Sequence, residues 1–160
     1  MRLAQESGRA VTFVATGTGS DEEMRARIAR HRAERPSGWT TVEEPLALAR
    51  AIREASAGAT VVVDCLSLWV ANVLEAEWDE SAIEDEAHAA ASAAAARAAP
   101  TVAVSNEVGL GIVPVSPVAR RYRDVLGRVN AAWAAAADES ALVVAGRVLP
   151  LRPAETLLRG

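Results

Sequence analysis

Four short, valine-rich apolar runs limit what this chain can fold into. Residues 11–15, 60–65, 101–105 and 141–145 have strand length and lack the alternation of a half-solvated strand. Runs of that kind read as strands buried on both faces. Helical patterns separate them, near 21–35, 44–57, 66–76, 80–98 and 116–137. Strand and helix alternating in this way predict an α/β fold, an open and mostly parallel sheet with flanking helices. A length of 160 residues suits one domain with one core. Neither a linker nor an internal repeat divides residues 1–160. The chain has one Phe and one Tyr, so Ala, Val and Leu must fill the interior. Ser20 with Glu23 makes a capping box for the first long helix, and Pro36 stops it. Pro45 suits the first turn of a helix starting at Glu44.

Charge removes several classes of partner. A net charge of −4 gives no general attraction to nucleic acid or to an anionic membrane. All 17 basic residues are arginine, which excludes a Schiff-base lysine or a phosphate-loop lysine within these residues. Cys65 is the single cysteine and lies in an apolar run, as a reduced, buried thiol does. No apolar stretch approaches a membrane span and no signal peptide opens the chain, so a soluble, cytoplasmic protein is expected.

His31 stands among Arg27, Arg30, Arg32 and Arg35. Positive neighbours disfavour the imidazolium, leaving a lone pair free to attack. Arginine forks can take up the charge that develops on a transferring phosphoryl group. On a helix, Arg27 and Arg35 fall at i−4 and i+4 from His31 and share its face; were the helix to fray there, Arg32 would contribute instead. The plainer alternative is an exposed basic helix face.

In open α/β sheets, ligands bind beyond the carboxyl ends of the strands. The first strand ends in Ala15-Thr16-Gly17, small groups that admit a nucleotide close to the backbone. The second ends in Asp64, the layout of an acid that holds Mg²⁺ or polarises its water, although an aspartate there also caps many helices. The third runs into Ser105-Asn106-Glu107-Val108-Gly109, with Gly111 beyond, a polar turn that orients a substrate or is simply a turn. Further on, Val118, Val125, Val129 and Trp133 follow helical spacing and are expected to face the core. Arg121, Arg128 and Asn130 would serve an anion, a solvated face or a subunit contact. Trp39, Trp69 and Trp78 would stack on a base or pack. The acidic residues from Asp79 to Glu86 read as solvated first turns of a helix, where negative charge suits the dipole. His88 has no partner at ligand spacing.

Taken together, the stretches V-T-F-V-A-T (11–16), D-E-E-M-R-A-R-I-A-R-H-R-A-E-R-P (21–36), W-T-T-V-E-E-P (39–45), V-V-V-D-C-L-S-L-W-V-A-N-V-L (61–74), V-S-N-E-V-G-L-G-I-V-P (104–114) and R-R-Y-R-D-V-L-G-R-V-N (120–130) resemble one family in order and spacing. It is the bifunctional adenosylcobinamide kinase and adenosylcobinamide-phosphate guanylyltransferase family of cobalamin synthesis. The resemblance implies a RecA-like P-loop NTPase fold, GTP and ATP as substrates, Mg²⁺, and a homotrimer. It implies that adenosylcobinamide is phosphorylated and then receives GMP from GTP through a guanylylated histidine, which falls on His31. The family's nucleotide contacts fall on Ala15, Thr16, Gly17, Arg32, Ala33, Glu34, Arg35, Glu43 and Asp64, with Asp64 serving Mg²⁺ or guanine. The family's first strand and its G-G-x-x-S-G-K-S loop are not among these residues, and residues 1–8 look like the tail of the helix that follows that loop. A start codon assigned too far downstream is the expected reason, against a truncated chain or a variant that has become a binding or assembly subunit. The 160 residues alone are expected to show poor activity in both reactions.

Overall fold

A computed structural model describes residues 2–19 and 22–159. Four parallel strands, β1 (Val11–Ala15), β2 (Thr40–Glu43), β3 (Thr60–Asp64) and β4 (Thr101–Val104), form a sheet in the order β2-β1-β3-β4. Helices α1 (Arg2–Glu6), α2 (Glu22–Ala33), α3 (Leu48–Glu54), α4 (Leu66–Glu75), α5 (Glu80–Ala95) and α6 (Pro117–Ala136) connect and cover it. This is the expected α/β architecture of P-loop NTPase type, with central strands β1 and β3 rich in Val because both their faces are buried. None of the helices described is long and apolar enough to cross a membrane.

The two faces of the sheet are unequal. Val14, Val61 and Val63 join the larger core with Leu48 and Ile52 of α3, Leu66, Trp69, Val70 and Val73 of α4, Ile83 and Ala87 of α5, and Val125, Leu126 and Val129 of α6. The α4 positions repeat at helical spacing, and each large apolar side chain buried there contributes about 1.5–3 kcal/mol. Val11, Phe13 and Val62 point the other way, to a smaller cluster with Ala4 and the half-buried Trp39.

Several sequence expectations need correction. The run at 141–145 is not a buried parallel strand: β5 (Ser140–Val144) pairs antiparallel with β6 (Arg147–Leu151) in a separate and largely exposed hairpin. Its turn places Ala145 and Gly146 at φ 50° and 73°, the left-handed pair that a two-residue hairpin demands. The α3 helix starts at Leu48 rather than near Glu44, because the Glu44 carboxylate accepts hydrogen bonds from the Leu46 and Ala47 amides and so caps it from outside. Val118 is 77% exposed, one turn before α6 reaches the core at Tyr122 and Val125. The proposed Ser20–Glu23 capping box involves Ser20, which lies outside the described residues.

Two polar devices tie α3 in place. Arg97 donates from Nη1 to the Ile52 and Ala55 carbonyls at 3.1 Å, and from Nη2 to those of Ser56 and Ala59 at 2.7 Å. One guanidinium thus satisfies the orphan carbonyls at the helix end and the turn into β3. At the other end, Glu86 of α5 accepts from the Ala49 amide at 2.8 Å. An Arg97→Met variant is expected to lose about 2 kcal/mol, since hydrogen bonds to a charged group are the stronger kind. A fall in the urea midpoint at constant m-value checks this; an unchanged midpoint refutes it.

Glu44 makes stability pH-dependent. Burial pushes its carboxyl up, but bonds from the Ala47 amide, the Arg50 guanidinium and the Leu46 amide outweigh it, and the pKa ends below the ordinary value. A pKa lowered on folding contributes stability above the unfolded value, about 4.3, that disappears as pH falls through the folded value. Urea midpoints should therefore show Glu44→Gln less stable than wild type at pH 7, with the gap closing toward pH 3. A gap independent of pH would contradict this assignment.

Candidate functional site

Parallel register assembles the site. Ala15 is level with Glu43 of β2 on one side and with Asp64 of β3 on the other, so both carboxylates flank one small residue at the carboxyl ends of the strands. The chain then turns through Thr16 and Gly17 and enters α2, one face of which lies over this edge. Met24, Arg27, Ile28, His31 and Arg32 of α2, together with Arg35, Gly17, Glu43, Asp64, Cys65 and Leu68, line a recess of about 90 Å³. A wider cleft of about 700 Å³ adjoins it, sharing Ala15, Gly17, Ile28, Arg32 and Glu43 and adding Thr18, Gly19, Arg25, Ala29, Ala33 and Pro45. Gly17 lies where the two meet. A Cβ there would stand 3.3 Å from Leu68 Cδ1 and 3.7 Å from Ile28 Cδ1, which would crowd the floor.

His31 is exposed on α2 and opens into the recess beside three arginines. Arg32 donates to Glu43 Oε1 at 2.7 Å and bridges α2 to the sheet. The α2 helix ends at Ala33, so Arg35 does not share a continuous helix face with His31 and Arg27. It arrives through the turn instead. Its guanidinium lies 3.8 Å from the Phe13 ring centroid, and Nη1 donates to Thr41 Oγ1 at 3.3 Å. Burial lowers the Arg35 pKa, Asp64 raises it, Arg32 lowers it and Glu43 raises it, for a net fall from its ordinary value. The stack on Phe13 fixes the position of this cation without neutralising it.

The remaining sequence candidates divide. Ala15, Gly17, Arg32 and Glu43 border both spaces, His31, Arg35 and Asp64 border the recess, and Ala33 borders the cleft. Glu34 borders neither. Thr16 is fully buried, and its hydroxyl donates to the Cys65 carbonyl and accepts from the Cys65 amide, both at 2.8 Å. With the Thr16 amide donating to the Asp64 carbonyl at 3.1 Å, it stitches the ends of β1 and β3 together, and its side chain faces no ligand space.

Other candidates fall outside the cleft. Arg121 and Arg128 pair with Glu80, and Arg128 also with Glu84, so the acidic start of α5 binds α6 and is not merely solvated. Asn130 accepts from Ser105 Oγ at 2.6 Å and donates to the Asn106 carbonyl at 3.1 Å, fastening the turn after β4. Glu107 Oε1 accepts from the Gly109 amide at 2.6 Å within that turn. His88 is exposed on α5. Trp69 is buried and donates from Nε1 to the Leu46 carbonyl at 2.8 Å, Trp78 packs against the large core, and Trp39 lies tilted against Phe13. Cys65 is a free, buried thiol, as expected.

Sequence reasoning missed Thr18, Asn72 and the apolar floor of Ile28 and Leu68. The β2 strand was also missed, because the half-exposed Thr-Thr-Val-Glu of an edge strand carries no apolar run.

Comparison with known proteins agrees with this architecture. A family model described as cobinamide kinase / cobinamide phosphate guanyltransferase matches residues 1–151. The chain is 44% identical over 152 residues to the bifunctional adenosylcobalamin biosynthesis protein CobP of Pseudomonas aeruginosa, covering 94% of this chain and 87% of that protein. It is 41% identical over 149 residues to the bifunctional adenosylcobalamin biosynthesis protein CobU of Escherichia coli, covering 85% of this chain and 82% of the relative. The counterpart in Salmonella typhimurium is 40% identical, with the same coverage. With a strand-end cleft of this composition and a match along almost its whole length, the chain belongs to the cobinamide kinase / cobinamide phosphate guanyltransferase family.

Proposed function

We propose that this chain acts in cobalamin biosynthesis as an adenosylcobinamide kinase and adenosylcobinamide-phosphate guanylyltransferase, with His31 carrying GMP between GTP and the corrinoid. Family membership supports the reaction class. The observation that carries the residue assignment is that His31 opens into one recess with Arg27, Arg32, Arg35, Glu43 and Asp64. In the first reaction, the hydroxyl oxygen of the aminopropanol arm attacks the γ-phosphorus of ATP or GTP. The bond to the β–γ bridging oxygen breaks, and the nucleoside diphosphate and the hydroxyl proton leave. In the second, a ring nitrogen of His31 attacks the α-phosphorus of GTP. A P–N bond forms as the bond to the bridging oxygen breaks, and pyrophosphate leaves. An oxygen of the substrate phosphate then attacks the same phosphorus, the P–N bond breaks, and its electron pair returns to the ring. The product is adenosylcobinamide-GDP. Two displacements replace one harder step.

The arginines at the recess supply positive charge for phosphate. Arg32 and Arg35 reach the recess from the end of α2 and the turn beyond it, and each can present a planar fork to phosphate oxygens. Mg²⁺ fits Asp64 as a partial ligand. No group of three His, Cys, Asp or Glu forms a ready cage among the described residues. One carboxylate beside phosphate oxygens and water suits this ion, which usually keeps several of its waters. Bound there, Mg²⁺ would offset triphosphate charge. A homotrimer belongs to the same reading. Exposed Ile112 and Val115 in the loop before α6, with Val143 and Val148 in the hairpin, offer apolar surface for subunit contacts.

Incubation with GTP labelled at the α-phosphate, followed by denaturation, tests the assignment in a chain that also carries the family's G-G-x-x-S-G-K-S loop. The label should stay on the protein, survive base and be lost in acid, and adenosylcobinamide phosphate should chase it off. His31→Ala should abolish it with an unchanged far-UV spectrum. A label that persists in His31→Ala, or an adduct stable in acid, would refute the role of this residue.

A further inference from the structure

One side chain outside the recess holds both walls of the cleft. Asn72 projects from α4 and is only 9% exposed. Its Nδ2 donates to the Thr16 carbonyl at 2.7 Å and to the Pro45 carbonyl at 3.2 Å. Its Oδ1 accepts from Thr18 Oγ1 at 3.4 Å. Thr16 and Thr18 belong to the segment that leaves β1, and Pro45 to the one that leaves β2. Trp69, one turn earlier on α4, holds the neighbouring Leu46 carbonyl but does not reach the β1 segment.

We infer that Asn72 is a positioning residue for nucleotide binding, setting the separation of the Thr16–Gly19 and Glu43–Pro45 lips through a single amide. The inference rests on the reading that the cleft takes GTP. The residue type matters for a physical reason. A buried carbonyl without a donor is costly, and the buried Thr16 carbonyl and the half-buried Pro45 carbonyl, from different strand ends, converge on one NH₂ group. Aspartate has nearly the same shape but presents acceptors to both carbonyls. Leucine would fill the space and leave both lips untied. Because the cleft walls touch the nucleotide before and during reaction alike, their displacement weakens binding more than it slows the chemical step.

Asn72→Asp is the main variant. Thr18→Val is the second, at an exposed position where folding is not at risk. Amide hydrogen exchange without nucleotide should accelerate in Asn72→Asp at residues 16–19 and 43–46 together, while β3 and α5 stay protected. In the labelled-GTP reaction, half-saturation should rise about tenfold and the plateau rate change by no more than about twofold, the pattern of lost uniform binding. Thr18→Val should shift half-saturation the same way by a smaller factor, and Thr18→Ser should restore it. Exchange that rises evenly along the chain, or remains unchanged at the lips, would overturn the inference, as would a fall in plateau rate at unchanged half-saturation. If the wild type takes no label from GTP even when it carries the family's phosphate loop, the His31 reading fails by itself, and the exchange pattern still decides the role of Asn72 in holding the lips.

Discussion

The parallel register of β2, β1 and β3 is the constraint on which the site depends. It sets Glu43 and Asp64 level with Ala15, and the Thr16 hydroxyl locks β1 to β3 one residue later by bonding both the amide and the carbonyl of Cys65. A slip of one residue would turn Glu43 and Asp64 to the opposite face of the sheet, because side chains alternate along a strand. The burial of Val14, Val61 and Val63 against four helices makes that slip expensive. Core packing therefore positions two carboxylates that the core itself does not contain.

The α2 helix is held differently. None of its described residues is buried, so no deep apolar contact fixes it. The Arg32–Glu43 pair has both side chains about 60% exposed, and pairs of that kind are worth about 0–1 kcal/mol. The stack of Arg35 on Phe13, in the turn that follows α2, adds a further attachment. The contrast with α3 is instructive, since Arg97, Glu44 and Glu86 cap that helix at both ends and apolar residues bury it. The sheet-edge half of the cleft is backed by the buried core, and the α2 half is not.

Arginine has two distinct uses in this chain. Arg97, Arg121 and Arg128 spend their donors on carbonyls and carboxylates of the fold. Arg27, Arg32 and Arg35 gather at the recess, where Arg32 has one carboxylate partner and Arg35 a hydroxyl. Nothing in the composition separates these groups. Position relative to the acidic start of α5 does, because Glu80 and Glu84 take up Arg121 and Arg128, whereas Arg32 meets Glu43 at the strand end.

The amino-acid sequence by itself determined the layer architecture, the central strands, four of the long helices and the candidates at the strand ends. Those features depend on local periodicity and on the composition of buried runs, which a linear chain displays openly. The matching stretches also identified the family before any geometry was known. Tertiary structure alone decided that β5 belongs to an exposed hairpin, that Thr16 is a stitch, and that Arg121 and Arg128 are paired. It alone brought Asn72 to two strand ends that lie 56 and 27 residues away along the chain. Each of these depends on which groups meet across long separations, and hydrogen-bond partners of that kind leave no period in the sequence.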